Sequence, residues 1–542
     1  MVPTSLYSYG RDSESEGWLM QFTVDGEQLL VKKDTMESSD FREFGKAMVD
    51  YIADYMETIR NRDVLPSVTP GYLEKHIPKE TPVDGENWKD VLHDVEKLIM
   101  PGVTHWHSPH FHAYYPTAQS YPAIVGEMLS AGIGCIGFSW MASPACTELE
   151  VITMNWLGKL LGLPEEFLNC SEGPGGGVIQ GSASESTLVG LLAAKEKMVR
   201  STQKNNPSLS EGDIKGKLVA YTSDQANSSV EKSGILASVP MIHLPSDTKG
   251  RLSGDVLREA IRRDKAAGLI PCYVVATLGT TGTCAFDNLE ELGAVCNEEG
   301  VWLHVDAAYA GAAFVCPEYR YLMKGVELCD SFTFNAHKWM LVNFDCSALW
   351  VKDARYLVEA FNVDRIYLQH QHEGKAPDYR HWQIPLGRRF RALKLWFVLR
   401  IYGTEGIRRH IRNHISLAKH FQELVLNDSR FEVVTSNLGL VCFRLQGDDS
   451  LTKELLEKVT ANKKLYLIPC YTQQKFVIRF VVCSRITTIE DINCSWAEII
   501  SHANTIVPYT TDNSIMHEPR KNDYINLTTY QEPDDSMNEK SK

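Results

Sequence analysis

The sequence predicts an α/β protein with a mostly parallel central sheet and a smaller α+β region toward its C-terminal end, on three observations. Four short apolar runs, "KLVAYTS", "CYVVATLG", "VWLHVDAAY" and "SFTFNAHKW", crowd the middle third of the chain. Several are separated by helix-like stretches such as "DNLEELGAVCNEEG", and strands alternating with helices argue for parallel strands covered on both faces. From about residue 395 the pattern changes to a helical stretch and then to the alternating segments "LGLVCFRLQ" and "KFVIRFVVCS", separated by "LTKELLEKVTANKKL". That region reads as an α+β unit with partly exposed strands.

Residues 1–35 are polar and aperiodic and read as a flexible extension. Phe41, Phe44, Met48, Ile52, Tyr55 and Ile59 then recur at spacings of three and four, which predicts an amphipathic helix. Asp40 and Glu43 ahead of it suit a capping box. At the other end, residues 509–542 are charged and poor in aliphatics, and are expected to stay disordered. The 542 residues include 69 Asp plus Glu against 55 Lys plus Arg, a net charge of −14 that repels phosphate backbones and anionic membranes. Neither nucleic acid nor a membrane is therefore an expected partner. The 13 cysteines contain no C-x-x-C pair and suit reduced thiols better than a disulfide framework or a zinc site. There is no signal-like leader and no uncharged apolar run of about 18 residues, so a soluble, cytoplasmic protein is expected.

In open α/β sheets the reactive crevice lies at the carboxyl ends of the strands, and four such ends carry polar groups here. One run finishes in Asp306, another in Asn335, His337 and Lys338, and a third in Thr280, Thr281 and Gly282. The fourth, "GPGGGVIQGSASES", sets small residues and hydroxyls before the helix-like "TLVGLLAAKEK", where free N–H groups and the helix dipole suit a phosphate. It fits neither the G-x-G-x-x-G fingerprint nor a P-loop, so no dinucleotide or ATP template is supported. Singly, such residues are usually solvated lysines, turn-capping aspartates and plain loops. In combination, an amine, a carboxylate and a phosphate cradle are the three fixtures that hold pyridoxal phosphate. The histidines of "THWHSPHFHAYY", His105, His107, His110 and His112, suggest a metal at first sight. Pro109 shifts their alternation, the two pairs need not share a face, and no metal is expected.

The segments "GGGVIQGSASESTLVGLLAAK", "HVDAAYAGAA", "FNAHKWML", "PGVTHWHSPHFHAYYPT", "GCIGFSWMASPACTELE" and "DYRHWQIPLGRRFRALK" resemble the group II pyridoxal-phosphate decarboxylases, in particular the animal aromatic L-amino-acid decarboxylases. The resemblance spans roughly residues 36–508. It implies the aminotransferase-like type I fold and an obligate homodimer with its active site at the interface. The implied divisions are a helical segment, 36–120, packed on the partner subunit, a large cofactor domain, 121–394, and a small α+β domain, 395–508. By motif, Lys338 is the expected Schiff-base lysine and Asp306 the ring-nitrogen partner. Ala183, Ser184, Thr281, Asn335 and His337 are the expected cofactor contacts. Trp106, Tyr114, Tyr115, Pro116 and Thr117 are expected to line an aromatic substrate pocket, with Ile136 and Phe138 reaching it from the partner. The polar segment 363–382, holding Gly374 and Pro377, reads as a mobile lid, and its Tyr367 matches the family's proton donor.

One residue departs from the pattern. Where the decarboxylases carry a histidine stacked over the cofactor, the motif "SDQANSSVEK" has Asn227. An asparagine there is a mark of the insect aldehyde synthases of this family, which the paired Tyr114 and Tyr115 also resemble. The implied reaction converts L-dopa, O2 and water into 3,4-dihydroxyphenylacetaldehyde, CO2, ammonia and hydrogen peroxide. The alternatives are an ordinary aromatic amino-acid decarboxylase that makes dopamine, and a catalytically silent binding scaffold.

Overall fold

The structure, a computed structural model, describes residues 9–11, 18–24, 27–32, 36–363, 365–369, 371–372 and 374–508. The chain divides into two compact units, Met1–His105 and Trp106–Lys542. The expected tail, 509–542, and much of the expected extension lie outside the described residues.

In the first unit, β1 (Tyr9–Arg11), β2 (Trp18–Val24) and β3 (Glu27–Lys32) form a three-stranded antiparallel sheet within the stretch read as aperiodic. The predicted amphipathic helix runs from Ser38 to Thr58. Its cap lies one turn earlier than expected. Glu37 occupies the N-cap and its N–H donates to the Asp40 carboxylate at 3.1 Å, so Asp40 closes the box instead of opening it.

The second unit is built on a seven-stranded sheet. Its strands are β4 (Gly176–Gln180), β5 (Leu218–Ser223), β6 (Met241–Leu244), β7 (Ile270–Thr277), β8 (Trp302–Asp306), β9 (Ser331–Asn335) and β10 (Ser347–Val351). They are ordered β4-β10-β9-β8-β7-β5-β6. Neighbours are parallel except that β10 runs antiparallel to both β4 and β9. All residues of β4, β5, β8, β9 and β10 are buried, which explains why β5, β8 and β9 read as continuous apolar runs and not as alternation.

The glycines ahead of the phosphate-type helix have a packing duty. A Cβ on Gly175 would lie 1.8 Å from the Glu166 carbonyl oxygen, and one on Gly177 would lie 2.6 Å from both Met154 and Trp350. The "GGG" run therefore admits β4 against its neighbours. Beneath it the Glu150 carboxylate accepts the Ile179 N–H at 2.7 Å and pairs with the Arg388 guanidinium, both side chains being buried. Glu150→Ala would leave that guanidinium uncompensated, and a loss of about 3–5 kcal/mol in denaturant unfolding is expected.

The long helix Arg391–Leu426, broken at Gly403 (φ 62°), leads into the C-terminal sheet. There β11 (Phe431–Asn437), β12 (Leu440–Leu445), β13 (Ile468–Thr472) and β14 (Lys475–Val481) are antiparallel in the order β11-β12-β14-β13. The two segments expected to be partly exposed, β12 and β14, are the central strands and are almost wholly buried. The exposure falls on the edges β11 and β13. Phe421 of the long helix stacks on Phe480 of β14 at 3.6 Å.

Candidate active site

The register of the central sheet sets two residues singled out in the sequence, Asp306 and Asn335, level with residues of the neighbouring strands. Ser347, at the start of β10, pairs with Gln180 on one side and Asn335 on the other. Asp306 pairs with Thr333 and with Thr277. Gln180, Asn335, Asp306 and Thr277 thus sit at one edge of the sheet, the carboxyl edge of its parallel strands. Beside Gln180 the 23-residue helix Ala183–Asn205 begins, N-capped by Ser182, whose hydroxyl accepts the Glu185 N–H at 3.2 Å. One turn in, the Ser186 hydroxyl lies 3.1 Å from that of Ser347, tying the helix start to the strand ends. Ala183 is buried and Ser184 exposed, so the first free N–H groups of this helix border both protein and solvent.

Asn335 closes β9 and leads directly into the short helix Ala336–Trp339, which carries His337 and Lys338. Asp306 is 4% exposed, and its Oδ1 accepts the Ala308 N–H at 3.0 Å. Burial raises its pKa, against the opposing charge of Lys338 and the Ala308 hydrogen bond. Burial lowers the pKa of Lys338, and Asp306 works against that shift. The pair therefore holds a carboxylate and an amine in mutual support, and the lowered lysine pKa favours the neutral nucleophilic amine. The Asn335 Oδ1 is buried with no hydrogen-bond partner among the described residues, an acceptor that a bound group would satisfy. A helix amino end, an amine facing a buried carboxylate, and an orphaned amide oxygen are a donor set that fits pyridoxal phosphate.

His337 is buried, and its Nδ1 accepts the Cys346 N–H at 2.8 Å, so the imidazole is neutral with its proton on Nε2. Burial lowers its pKa to about 3, as it does for the buried His304 and His112. With folded values below the unfolded 6.5, these three contribute stability that is present above that pH and is lost on acidification toward about 3. The melting temperature should fall as pH drops from 7.5 to 5. A flat profile over that range contradicts the assignment.

Asn227 follows β5 and N-caps the helix Ser228–Ala237. Its Oδ1 accepts the Ser229 N–H at 3.0 Å, and its Nδ2 donates to the Thr281 hydroxyl at 2.8 Å. The two residues sit in loops after neighbouring strands, and their contact binds the departure from the family pattern to an expected cofactor contact. On the other side of this loop the Tyr115 hydroxyl donates to the Thr280 carbonyl at 2.8 Å. The Tyr115 ring lies 5.8 Å from Lys338 Nζ.

Tyr114 and Tyr115 do different jobs. Tyr115 is buried and stacks on Tyr309 at 3.8 Å. Tyr114 is 43% exposed, adopts φ 59°, stacks on Trp106 at 5.2 Å, and shares a 2.9 Å hydrogen bond with the Tyr466 hydroxyl. A non-glycine residue at positive φ stores strain that the surroundings must hold. Pro116 is buried and Thr117 half-buried just beyond. Ile136, 51% exposed, and Phe138, half-buried, lie on the loop between the helices Tyr121–Ile133 and Pro144–Leu161. Tyr367 is 76% exposed, in the short turn Ile366–Leu368. The histidine pairs disperse into structural roles: Tyr55 hydrogen-bonds His105, whereas His110 and His112 both bond the Ser495 hydroxyl.

Two residues escaped the sequence reading. Arg479, buried in β14, donates from Nε to the Gly282 carbonyl at 2.9 Å and from Nη2 to the Tyr114 carbonyl at 3.1 Å. It therefore clamps the Thr281 loop to the aromatic segment. Tyr309 sits between Tyr115 and Trp339, stacked on both. An arginine inside the apolar run "KFVIRFVV" was the available signal for the first; nothing distinguished the second.

Comparison with known proteins bears on this site. Residues 70–446 match the family described as the pyridoxal-dependent decarboxylase conserved domain. An aromatic-L-amino-acid decarboxylase of Rattus norvegicus is 57% identical over 475 residues, 87% of this chain and 99% of that protein. A 3,4-dihydroxyphenylacetaldehyde synthase of Aedes aegypti is 56% identical over 474 residues, covering 87% and 91%. A crystal structure of Oryza sativa TDC with PLP and tryptamine superposes with a TM-score of 0.84 at 35% identity, covering 87% of this chain and 99% of that one.

Proposed function

Because the chain belongs to the pyridoxal-dependent decarboxylases, we propose that it couples decarboxylation of an aromatic L-amino acid to oxidative deamination. The reaction is L-dopa + O2 + H2O to 3,4-dihydroxyphenylacetaldehyde + CO2 + NH3 + H2O2. Relatives of nearly equal identity are named for the amine-forming and for the aldehyde-forming activity, so overall similarity does not choose between them. The observation that carries the choice is Asn227, whose oxygen is committed to Ser229 and whose NH2 is committed to Thr281. A carboxamide has neither the flat face nor the near-neutral titration of an imidazole.

Bound pyridoxal phosphate supplies an electron sink for the pair released as CO2 leaves. Lys338 would hold the cofactor covalently, and Asp306 would set a negative charge beside its ring nitrogen. The free N–H groups of Ala183 and Ser184 would bind its phosphate, and Thr281, Asn335 and His337 would complete the contacts. Trp106, Tyr114, Tyr115, Pro116 and Thr117 orient the aromatic side chain of the substrate. Tyr367 offers a proton at the carbon that has lost CO2. It is 76% exposed and would have to close over the site to do so, whereas the Asn227 amide, which does not titrate near neutrality, would not replace it as a proton source and would leave the electron pair to O2.

We further assign a homodimer. The helix Tyr121–Ile133 turns its small residues Ala123, Gly126 and Ser130 inward and leaves Tyr121, Val125, Met128, Leu129 and Ile133 exposed. A continuous apolar face of this kind needs a partner. The second copy would bring Ile136 and Phe138 to the pocket. All 13 cysteines are free thiols, which suits the reducing cytoplasm, and among the described residues no helix is long and apolar enough to cross a membrane.

Purified enzyme incubated with L-dopa in air, with CO2, amine, aldehyde and peroxide scored together, tests the reading. Aldehyde and peroxide should each match CO2. Dopamine without peroxide identifies the conventional decarboxylase, which Tyr367 favours. No CO2 and no cofactor absorbance identify a silent scaffold.

A further inference from the structure

The loop carrying Ile136 and Phe138 is closed at its base by two thiols. Cys135 Sγ lies 3.3 Å from Cys146 Sγ. Cys135 is half-buried, just past the helix Tyr121–Ile133, whereas Cys146 is buried in the first turn of the helix Pro144–Leu161. The loop between them is packed tightly. A Cβ on Gly137 would lie 2.5 Å from the Cys146 Cβ, the Gly137 N–H donates to the Arg388 carbonyl at 3.1 Å, and the Phe138 carbonyl accepts the Arg380 N–H at 3.1 Å. Farther along, Trp140 meets His372 of the segment 363–382 edge-on at 4.6 Å. The loop therefore touches the expected lid as well as presenting two expected pocket residues.

We propose that Cys135 and Cys146 form a reversible disulfide under hydrogen peroxide and that this bond restrains the pocket loop. The sulfurs need to approach by only about 1.3 Å to reach the ~2.05 Å bond length. The more accessible Cys135 thiol is oxidised first, its sulfur taking one oxygen from H2O2 to give a sulfenic acid and one water. Cys146 then loses its proton and its sulfur attacks the Cys135 sulfur, displacing hydroxide that leaves with that proton as a second water. Two thiols give up two electrons in all, and one peroxide becomes two waters. Burial pushes the Cys146 thiol up to about 12, which keeps it protonated and leaves the more accessible Cys135 as the thiol that meets peroxide; the 3.3 Å approach of the two sulfurs is what carries the second step. A shift of about 1 Å at Ile136 and Phe138 is enough to lower turnover by one to two orders of magnitude.

That the peroxide comes from the enzyme's own turnover rests on the aldehyde-forming reading; that the thiol pair responds to peroxide does not. In the test, the full-length holoenzyme is treated with a stoichiometric excess of H2O2, alkylated, digested and mapped by mass spectrometry, with CO2 release from L-dopa measured in parallel. A Cys135–Cys146 linked peptide is expected, with CO2 release down about tenfold or more and restored by dithiothreitol. Cys135→Ser and Cys146→Ser should each abolish both the link and the sensitivity. If both cysteines remain alkylatable while the exposed Cys170 and Cys494 are already oxidised, or if Cys135→Ser stays peroxide-sensitive, the switch is wrong. In a second arm, turnover with L-dopa should build the same link and catalase should prevent it. A link with added peroxide but no peroxide from turnover overturns the aldehyde reading and leaves the switch standing.

Discussion

Asn227→His should raise the amine-to-aldehyde ratio by about tenfold or more while CO2 release changes little. In the proposed reaction the amine-forming and aldehyde-forming routes would part only after CO2 has left, and about 1.4 kcal/mol in their relative barriers changes the ratio tenfold. An imidazole stacked on the cofactor is worth roughly 0.5–1.5 kcal/mol by analogy with aromatic pairs, and it adds a nitrogen that exchanges protons near neutrality. The substitution also removes an N-cap, because Asn227 Oδ1 accepts the Ser229 N–H, at a cost of about 0.5–2 kcal/mol in stability. Asn227→Ser separates the two effects. It keeps a capping oxygen and removes the amide donor to Thr281, so it should retain the aldehyde product. An unchanged product ratio in a folded Asn227→His protein would falsify the role given to this residue.

Asp306→Asn should lower kcat by about 10²–10³-fold, the usual loss when one preorganised charge-stabilising group is removed from a water-poor site. The variant is nearly isosteric, and its Oδ1 can still accept the Ala308 N–H that Asp306 accepts at 3.0 Å, so the fold should persist. What disappears is the negative charge, which now works against the burial-lowered pKa of Lys338. In the holoenzyme the Lys338 nitrogen would be bonded to the cofactor, and a nearby negative charge would favour its protonated form just as it favours that of the free amine. The visible cofactor band should therefore titrate at lower pH in Asp306→Asn than in the native enzyme, a shift that a purely structural role would not produce. A kcat within threefold of native, with an unmoved titration, rules out a ring-nitrogen partner at this position.

The strand ends were readable because a buried parallel strand must be apolar throughout, so the first polar residue after it marks the edge of the sheet. Asp306 and Asn335 were located that way, and Lys338 falls one short turn beyond; Thr280 and Thr281, read as the end of a third run, lie three and four residues past the last residue of β7, Thr277. The edge strand β6 was missed: it has four residues and only Leu244 is buried. β10 was missed for another reason, since a short run says nothing of direction, and the antiparallel insertion that brings Ser347 between Gln180 and Asn335 is a property of the sheet. The capping box was misplaced by one turn because Glu37, Asp40 and Glu43 recur at the same spacing.

By itself, then, the amino-acid order determined the α/β class and put forward the proposed fixtures for the cofactor and the asparagine at position 227, all of which depend on residue type and short-range spacing. Only the tertiary structure decided how those fixtures are held. Arg479 reaches Gly282 and Tyr114 across separations of 197 and 365 residues, Asn227 finds Thr281 across 54, and Tyr309 slides between two rings. Such contacts arise from which strands become neighbours, a long-range outcome of burying apolar surface that no local pattern encodes.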